Sequence, residues 1–208
     1  MGLIAHSSNI SRYQVKDHVP QDYRGQYLER IRSHAFRHIE ENSDVDRSVG
    51  WVNIMNIFDN EFQGEECFKD EFIALSLRID TRRIPSYVLK QRCNEAEKEK
   101  KAAIGKDFLS KSDREEIKDM IKVQLLKRII PNIRTFDMIW NIKKGEIFFS
   151  SFNDSISGEF QELFKKTFDL NALPLFPYSI AENIFNEEQK NMLEEISSEI
   201  FTLFTPEK

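Results

Sequence analysis

The ten residues 71–80, EFIALSLRID, constrain the fold more than any other stretch. Ile73, Leu75, Leu77 and Ile79 fall on one side, and Phe72, Ala74 and Ser76 on the other. That is the period of a strand, not of a helix. The remaining segments must supply its partners and its cover. Residues 9–17 (NISRYQVKD) alternate as a first strand. Pro20 opens a helix expected to run to about Glu41, with Tyr23, Tyr27, Ile31 and Ala35 at helical spacing. A polar loop, ENSDVDRS, precedes the β-prone GWVNIMNIF, and DNEFQGEECFKDE reads as an exposed turn region.

Pro85 begins a helix expected to reach Ile104, with Gly105 as its stop. Ser112 and Glu115 have the spacing of a capping box. The helix they open carries Ile117, Met120, Ile121, Leu125 and Leu126 and ends near Pro131. RTFDMIWN and GEIFFSSF flank IKKG as a β-hairpin. Asn153 or Asp154 caps a helix to about Phe168, and LNALPLFPYSI, with two prolines, reads as extended or edge chain. Residues 187–204 form a last amphipathic helix with Met192, Leu193, Ile196, Ile200, Leu203 and Phe204 on its stripe. Strands close in sequence, mixed with helices, favour an α+β fold with antiparallel sheet and long helices. The 17 Phe make an aromatic-rich core the expectation. The expected organisation is an α+β domain over 1–181, with a helical subdomain at about 85–131, then a C-terminal helix over 182–208.

Charge divides this plan. Residues 78–144 hold 18 Lys and Arg against 10 Asp and Glu, a balance of +8, while the rest of the chain carries −13. Such asymmetry inside a chain of net charge −5 points to a polyanion partner. The stretch EKEKKAAIGKDFLSK could also be a solvated helix, since Lys98, Lys100 and Lys101 alternate with Glu95, Glu97 and Glu99. Its continuation tips the balance. Arg114, Lys118 and Lys122 recur every four residues on one helix face, with Lys111 nearly in line. Such a stripe matches duplex phosphates. The expected phosphate contacts are Lys101, Lys106, Lys111, Arg114, Lys118, Lys122, Lys127, Arg128 and Arg134. With no Gly-rich phosphate loop or zinc-finger spacing, they would follow the backbone with little sequence preference.

Other chemistry is less supported. His34 and His38 have a metal-ligand spacing but lack the HExxH glutamate, so they read as surface histidines. Glu61, Glu65, Glu66, Asp70 and Glu71 could hold Mg²⁺, as in a nuclease, or form a solvated acidic loop. Two E-x-K fragments, Glu99 to Lys101 and Glu116 to Lys118, fall on expected helices rather than strands. Cys67 and Cys93 read as reduced thiols. No metal or other cofactor and no enzymatic activity are expected. No run of 18 apolar residues exists for a membrane span. The start, MGLIAHSSN, lacks a signal-peptide pattern and has His6 where a myristoylation signal wants Ser or Thr, so the expected location is cytoplasmic.

In order, the motifs are RYQV, VGWVN, LSLRIDTRRIPSYVLK, the Lys/Glu-rich helical pair, LLKRIIPNIRTFDMIWN, GEIFFSS and FKKTFDLNALPLFPYSIA. Over roughly residues 10–181 this resembles the RdgC-type recombination-associated proteins of bacteria. Its most specific pieces are Gly50-Trp51-Val52, Arg83 to Ser86, Leu125-Leu126 before basic residues, and Trp140. The resemblance implies an α+β fold, nucleoid association, a homodimer and double-stranded DNA as partner. It further implies modulation of homologous recombination by restraining the recombinase RecA. Larger members form ring-shaped dimers around duplex DNA and continue well past the part matching Ile180 and Ala181. A smaller ring, an open crescent or a different dimer made through the last helix are therefore all open, as is that helix packing on its own core. An exonuclease label on the family leaves a nuclease as the alternative, and a protein-interaction module is a third. Trp51, Trp140 and Phe148 are assigned to the core rather than to base stacking.

Overall fold

A computed structural model describes residues 9–40 and 43–195. In chain order the elements are β1 (Ser11–Gln14), α1 (Tyr23–Ser33), β2 (Arg47–Asn53), β3 (Phe68–Lys69), β4 (Phe72–Thr81), α2 (Ser86–Ile104), α3 (Lys111–Leu126), β5 (Asn132–Asn141), β6 (Glu146–Phe149), α4 (Asp154–Phe168), β7 (Leu173–Leu175), α5 (Pro177–Ile184) and α6 (Glu187–Glu195). The chain divides into two compact units, Met1–Leu173 and Pro174–Lys208. The fold is α+β, as expected.

The seven-stranded sheet runs β2-β4-β5-β6-β1-β7, with β3 on β4. The pairings β2·β4, β3·β4, β4·β5, β5·β6 and β1·β6 are antiparallel. At its centre β4 and β5 pair along their whole length, from Thr81 opposite Asn132 to Phe72 opposite Asn141. Register puts Trp51, Leu77, Leu75, Ile73, Met138, Trp140, Ile147, Phe149 and Tyr13 on one face, all buried. Helices α1 and α4 cover that face through aromatic side chains. Tyr27 stacks on Trp140 with centroids 5.9 Å apart, and Phe160 stacks on Phe149 at 4.2 Å. Each large side chain buried there contributes about 1.5–3 kcal/mol. Phe148 points to the other face and is half-buried beneath the Arg12 guanidinium, outside the core to which it was assigned.

The opposite face is polar and yet also buried at its centre. Arg78 is 2% exposed and Asp80 3%. They form a fork, Nε to Oδ1 and Nη2 to Oδ2, both at 2.8 Å. Arg78 also donates to the Ile57 carbonyl at 2.9 Å and lies 4.3 Å over the Phe36 ring and 5.4 Å over Phe58. Every face of the guanidinium is therefore occupied, which offsets its desolvation.

The first helix is shorter than expected: it ends at Ser33, not near Glu41. The chain instead joins the β2 edge, with Phe36 N–H donating to the Trp51 carbonyl and Trp51 N–H to His34. Backbone approach explains the Gly50-Trp51-Val52 motif. A Cβ on Gly50 would sit 2.4 Å from Phe36 Cα, Trp51 donates its indole N–H to Thr167 on α4 at 2.8 Å, and Val52 is fully buried. The acidic segment 59–71 also departs from expectation. Phe62 and Cys67 are buried, and Arg32 holds the Phe62 carbonyl at 2.8 Å although Phe62 has φ +50°. Ring burial outweighs a left-handed backbone cost of about 1–2 kcal/mol.

In the second unit, α5 begins at Pro177, where extended chain was expected, because a proline suits the first helical position. The last helix is described only to Glu195. Ile196, Ile200, Leu203 and Phe204 lie outside the described residues.

Gly50→Ala must push the Phe36 backbone away and should destabilise the protein by about 2–4 kcal/mol. Thr167→Val leaves the buried Trp51 N–H unpaired and should cost about 1–3 kcal/mol. Urea unfolding monitored by tryptophan fluorescence measures both.

Candidate nucleic-acid interface

Residues 82–131 form one excursion from the sheet. Its two ends, Thr81 and Asn132, lie opposite each other on a single rung of the β4·β5 ladder. Within it α2 and α3 make a helical hairpin. The helix α2 follows Pro85 and stops at Gly105, whose φ of +61° is the left-handed cap a residue without Cβ adopts freely. The capping box of α3 lies two residues before the expected one, because Asp113 completes it as well as a glutamate would. Ser110 accepts from Asp113 N–H at 3.1 Å, and the Asp113 carboxylate accepts from Ser110 N–H at 3.2 Å. The apolar seam is thin: α2 buries no residue fully, and α3 buries Ile117 and Leu126.

Ion pairs reinforce that seam. Lys100 on α2 reaches Asp113 at 2.9 Å and Glu116 at 3.3 Å on α3. Arg114 stands 4.0 Å from Glu97. Lys100 and Glu97, which alternate with opposite charges along α2, therefore pair across to α3. Hydrogen bonds from Ser110, then the Lys100 ammonium, pull the Asp113 carboxyl down to about 2.

The hairpin brings together a subset of the nine expected phosphate contacts. Lys111, Arg114 and Lys118 line one groove of about 380 Å³ between α2 and α3. Lys90 lines it too and was missed in the sequence, although it lies within the basic stretch 78–144. Lys122 continues the same face one turn on and is exposed. Lys106 is exposed at the tip and Lys101 half-buried near it. Arg128 lies in a separate groove, beside Arg92, Glu95 and Glu99. Lys127 caps α3 and is exposed. Arg134 stands apart on β5, paired with Ile79 in the sheet and exposed.

The other candidates have individual partners. His34 follows the end of α1, with its Nδ1 2.9 Å from both Ser33 Oγ and the Arg30 carbonyl. His38 packs edge-on against Phe36, so the two histidines share no helix. Glu65 pairs with Arg24 at 3.2 Å, Glu66 accepts from Asn53 at 2.9 Å, and Glu71 accepts from Lys143 at 2.9 Å and Asn141 at 3.1 Å. Among the described residues no three His, Cys, Asp or Glu converge as a metal-binding group. Cys67 is a buried free thiol pushed up to about 11 by that burial. No helix among the described residues is long and apolar enough to cross a membrane.

In a comparison with known families, the model described as "Putative exonuclease, RdgC" matches residues 7–187. No curated protein matches the chain.

The cap and staple at the tip should be pH-sensitive. The Asp113 pKa is depressed in the folded chain, so its stabilisation is present above the ordinary carboxylate range near 4 and is lost as pH falls towards 2. A carboxyl-carbon NMR titration should place its midpoint near 2, rising towards the ordinary value in Ser110→Ala. That substitution should also cost about 1 kcal/mol.

Proposed function

This chain belongs to the RdgC family, and from that premise we propose that it binds the phosphate backbone of double-stranded DNA through its helical hairpin, with little regard to sequence. The observation that carries this reading is charge placement. Residues 86–128, which span the hairpin, hold twelve Lys and Arg against eight Asp and Glu, in a chain of net charge −5. Lys111, Arg114 and Lys118 converge with Lys90 on one groove, and Lys122 extends the row. Exposed cations in a row gain affinity by releasing counterions from DNA. In this reading the protein acts as a non-catalytic homodimer. By occupying duplex DNA it modulates homologous recombination and restrains access of the recombinase RecA.

The family description favours a second reading, an exonuclease. One preparation distinguishes the two. On the first reading, unrelated duplexes bind with similar affinity, affinity falls steeply with salt, and Mg²⁺ brings no cleavage. Reproducible cleavage, lost on Asp70→Asn or Glu71→Gln, would establish the second reading instead.

Arg114, Lys118 and Lys122 changed together to Glu should weaken binding on every duplex by more than tenfold. The slope of log affinity against log salt should fall by about 3. Fluorescence anisotropy across a salt series measures both, and retained affinity would remove the hairpin from the interface.

A further inference from the structure

We infer that the chain carries a second contact site for duplex phosphates, on the β5–β6 turn at the end of the sheet remote from the helical hairpin. It rests on the duplex-binding reading above. The turn presents Lys143 and Lys144, both exposed. Beside it lies an open, polar cleft of about 510 Å³, also lined by Lys16, His18 and Tyr23. Asp17, the one carboxylate lining the cleft, accepts from the Asn171 N–H at 3.1 Å.

The turn is held rigidly. Lys144 N–H donates to Asn141 Oδ1 at 2.9 Å, Gln14 Nε2 donates to the Lys144 carbonyl at 2.9 Å, and Val15 N–H donates to the Gly145 carbonyl at 2.8 Å. Gly145 has φ +67°, and a Cβ there would stand 2.4 Å from the Val15 carbonyl oxygen. The backbone is thus clamped against β1 while two ammonium groups stay at the surface. Lys144 has no carboxylate within ion-pair distance among the described residues. Lys143 pairs with Glu71 at 2.9 Å, its side chain 78% exposed. An exposed, solvent-screened pair of this kind adds little to stability, so a phosphate can recruit Lys143 at little cost. Rigid presentation lowers the ordering cost of binding.

Spacing favours a duplex over a smaller anion. The ladder runs from the Thr81–Asn132 rung, where the hairpin is rooted, to the Phe72–Asn141 rung beside the turn. At about 3.4 Å per residue its nine steps cover roughly 30 Å. One turn of duplex DNA is about 34 Å, after which a strand returns to the same side. A duplex held near the hairpin root, where Lys127 and Arg128 lie, can therefore offer phosphates again at Lys143 and Lys144.

The test is lysine acetylation footprinting of the full chain with and without a 24-base-pair duplex, read by mass spectrometry, beside Lys143→Gln/Lys144→Gln. Protection of Lys143 and Lys144 together with Lys118 and Lys122 is expected. The double variant should keep its unfolding midpoint, lose about tenfold in affinity and lose about 2 from the salt slope. Protection confined to the hairpin, with unchanged affinity in the variant, overturns the second site and leaves the duplex-binding reading intact. Absence of any DNA binding by the unaltered chain overturns both. Turn protection by anionic vesicles but not by DNA assigns the cleft to a membrane surface and also overturns the inference.

Discussion

The full-length pairing of β4 with β5 is the constraint on which the rest of the molecule depends. Both strands are ten residues long and every residue has a partner. One face needs an aromatic cover, which α1 and α4 supply. The other carries the Arg78–Asp80 fork, which needs desolvated partners, and these come from the loops holding Phe36, Ile57 and Phe58. A buried ion pair is weak evidence for stability, since its desolvation can cancel its Coulomb gain. What this pair supplies is register. Slipping β4 by one residue would place Arg78 among the aromatic side chains and Leu77 beneath the polar loops.

The ladder also separates the two basic regions. A fifty-residue excursion leaves and returns at one rung, so it can vary in length and charge without disturbing the sheet. At the other end a tight turn is clamped by hydrogen bonds to β1. On the proposed duplex-binding reading, the acidic excess outside residues 78–144 would act as a repulsive background that discourages DNA from other surfaces.

Much of the fold was legible in the sequence because its signals are local. Alternation marks β4, β5 and β6, Gly105 stops α2, and Asn153 caps α4. The failures are tertiary. Nothing between His34 and Glu41 forbids a helix; the chain leaves it because Gly50 admits the Phe36 backbone against β2. The segment around Phe62 reads as polar because its two buried rings, Phe62 and Phe68, sit among acidic residues. The stripe Arg114, Lys118, Lys122 was readable from helical period alone. Lys90 joining it was not, since that requires knowing how two helices pack. Lys143 and Lys144 were read as a mere hairpin turn because the residues that complete their cleft lie far away in sequence.

The hairpin's chemistry argues for reading backbone rather than bases. Nine of the twelve cations in residues 86–128 are lysines, point charges without the planar fork that recognises a guanine edge. Of the three arginines, Arg92 pairs with Glu95, Arg114 faces Glu97, and Arg128 lies beside Glu95 and Glu99. Lys100 is committed to Asp113 and Glu116 as an internal staple. The glutamates therefore have two effects. They reinforce a hairpin whose apolar seam is thin, and they place a carboxylate near each arginine, which disfavours a base-reading fork while leaving the exposed Arg114 able to meet a phosphate. The result is a sparse row of exposed cations, mostly ammonium groups, suited to many phosphates weakly rather than to one sequence tightly.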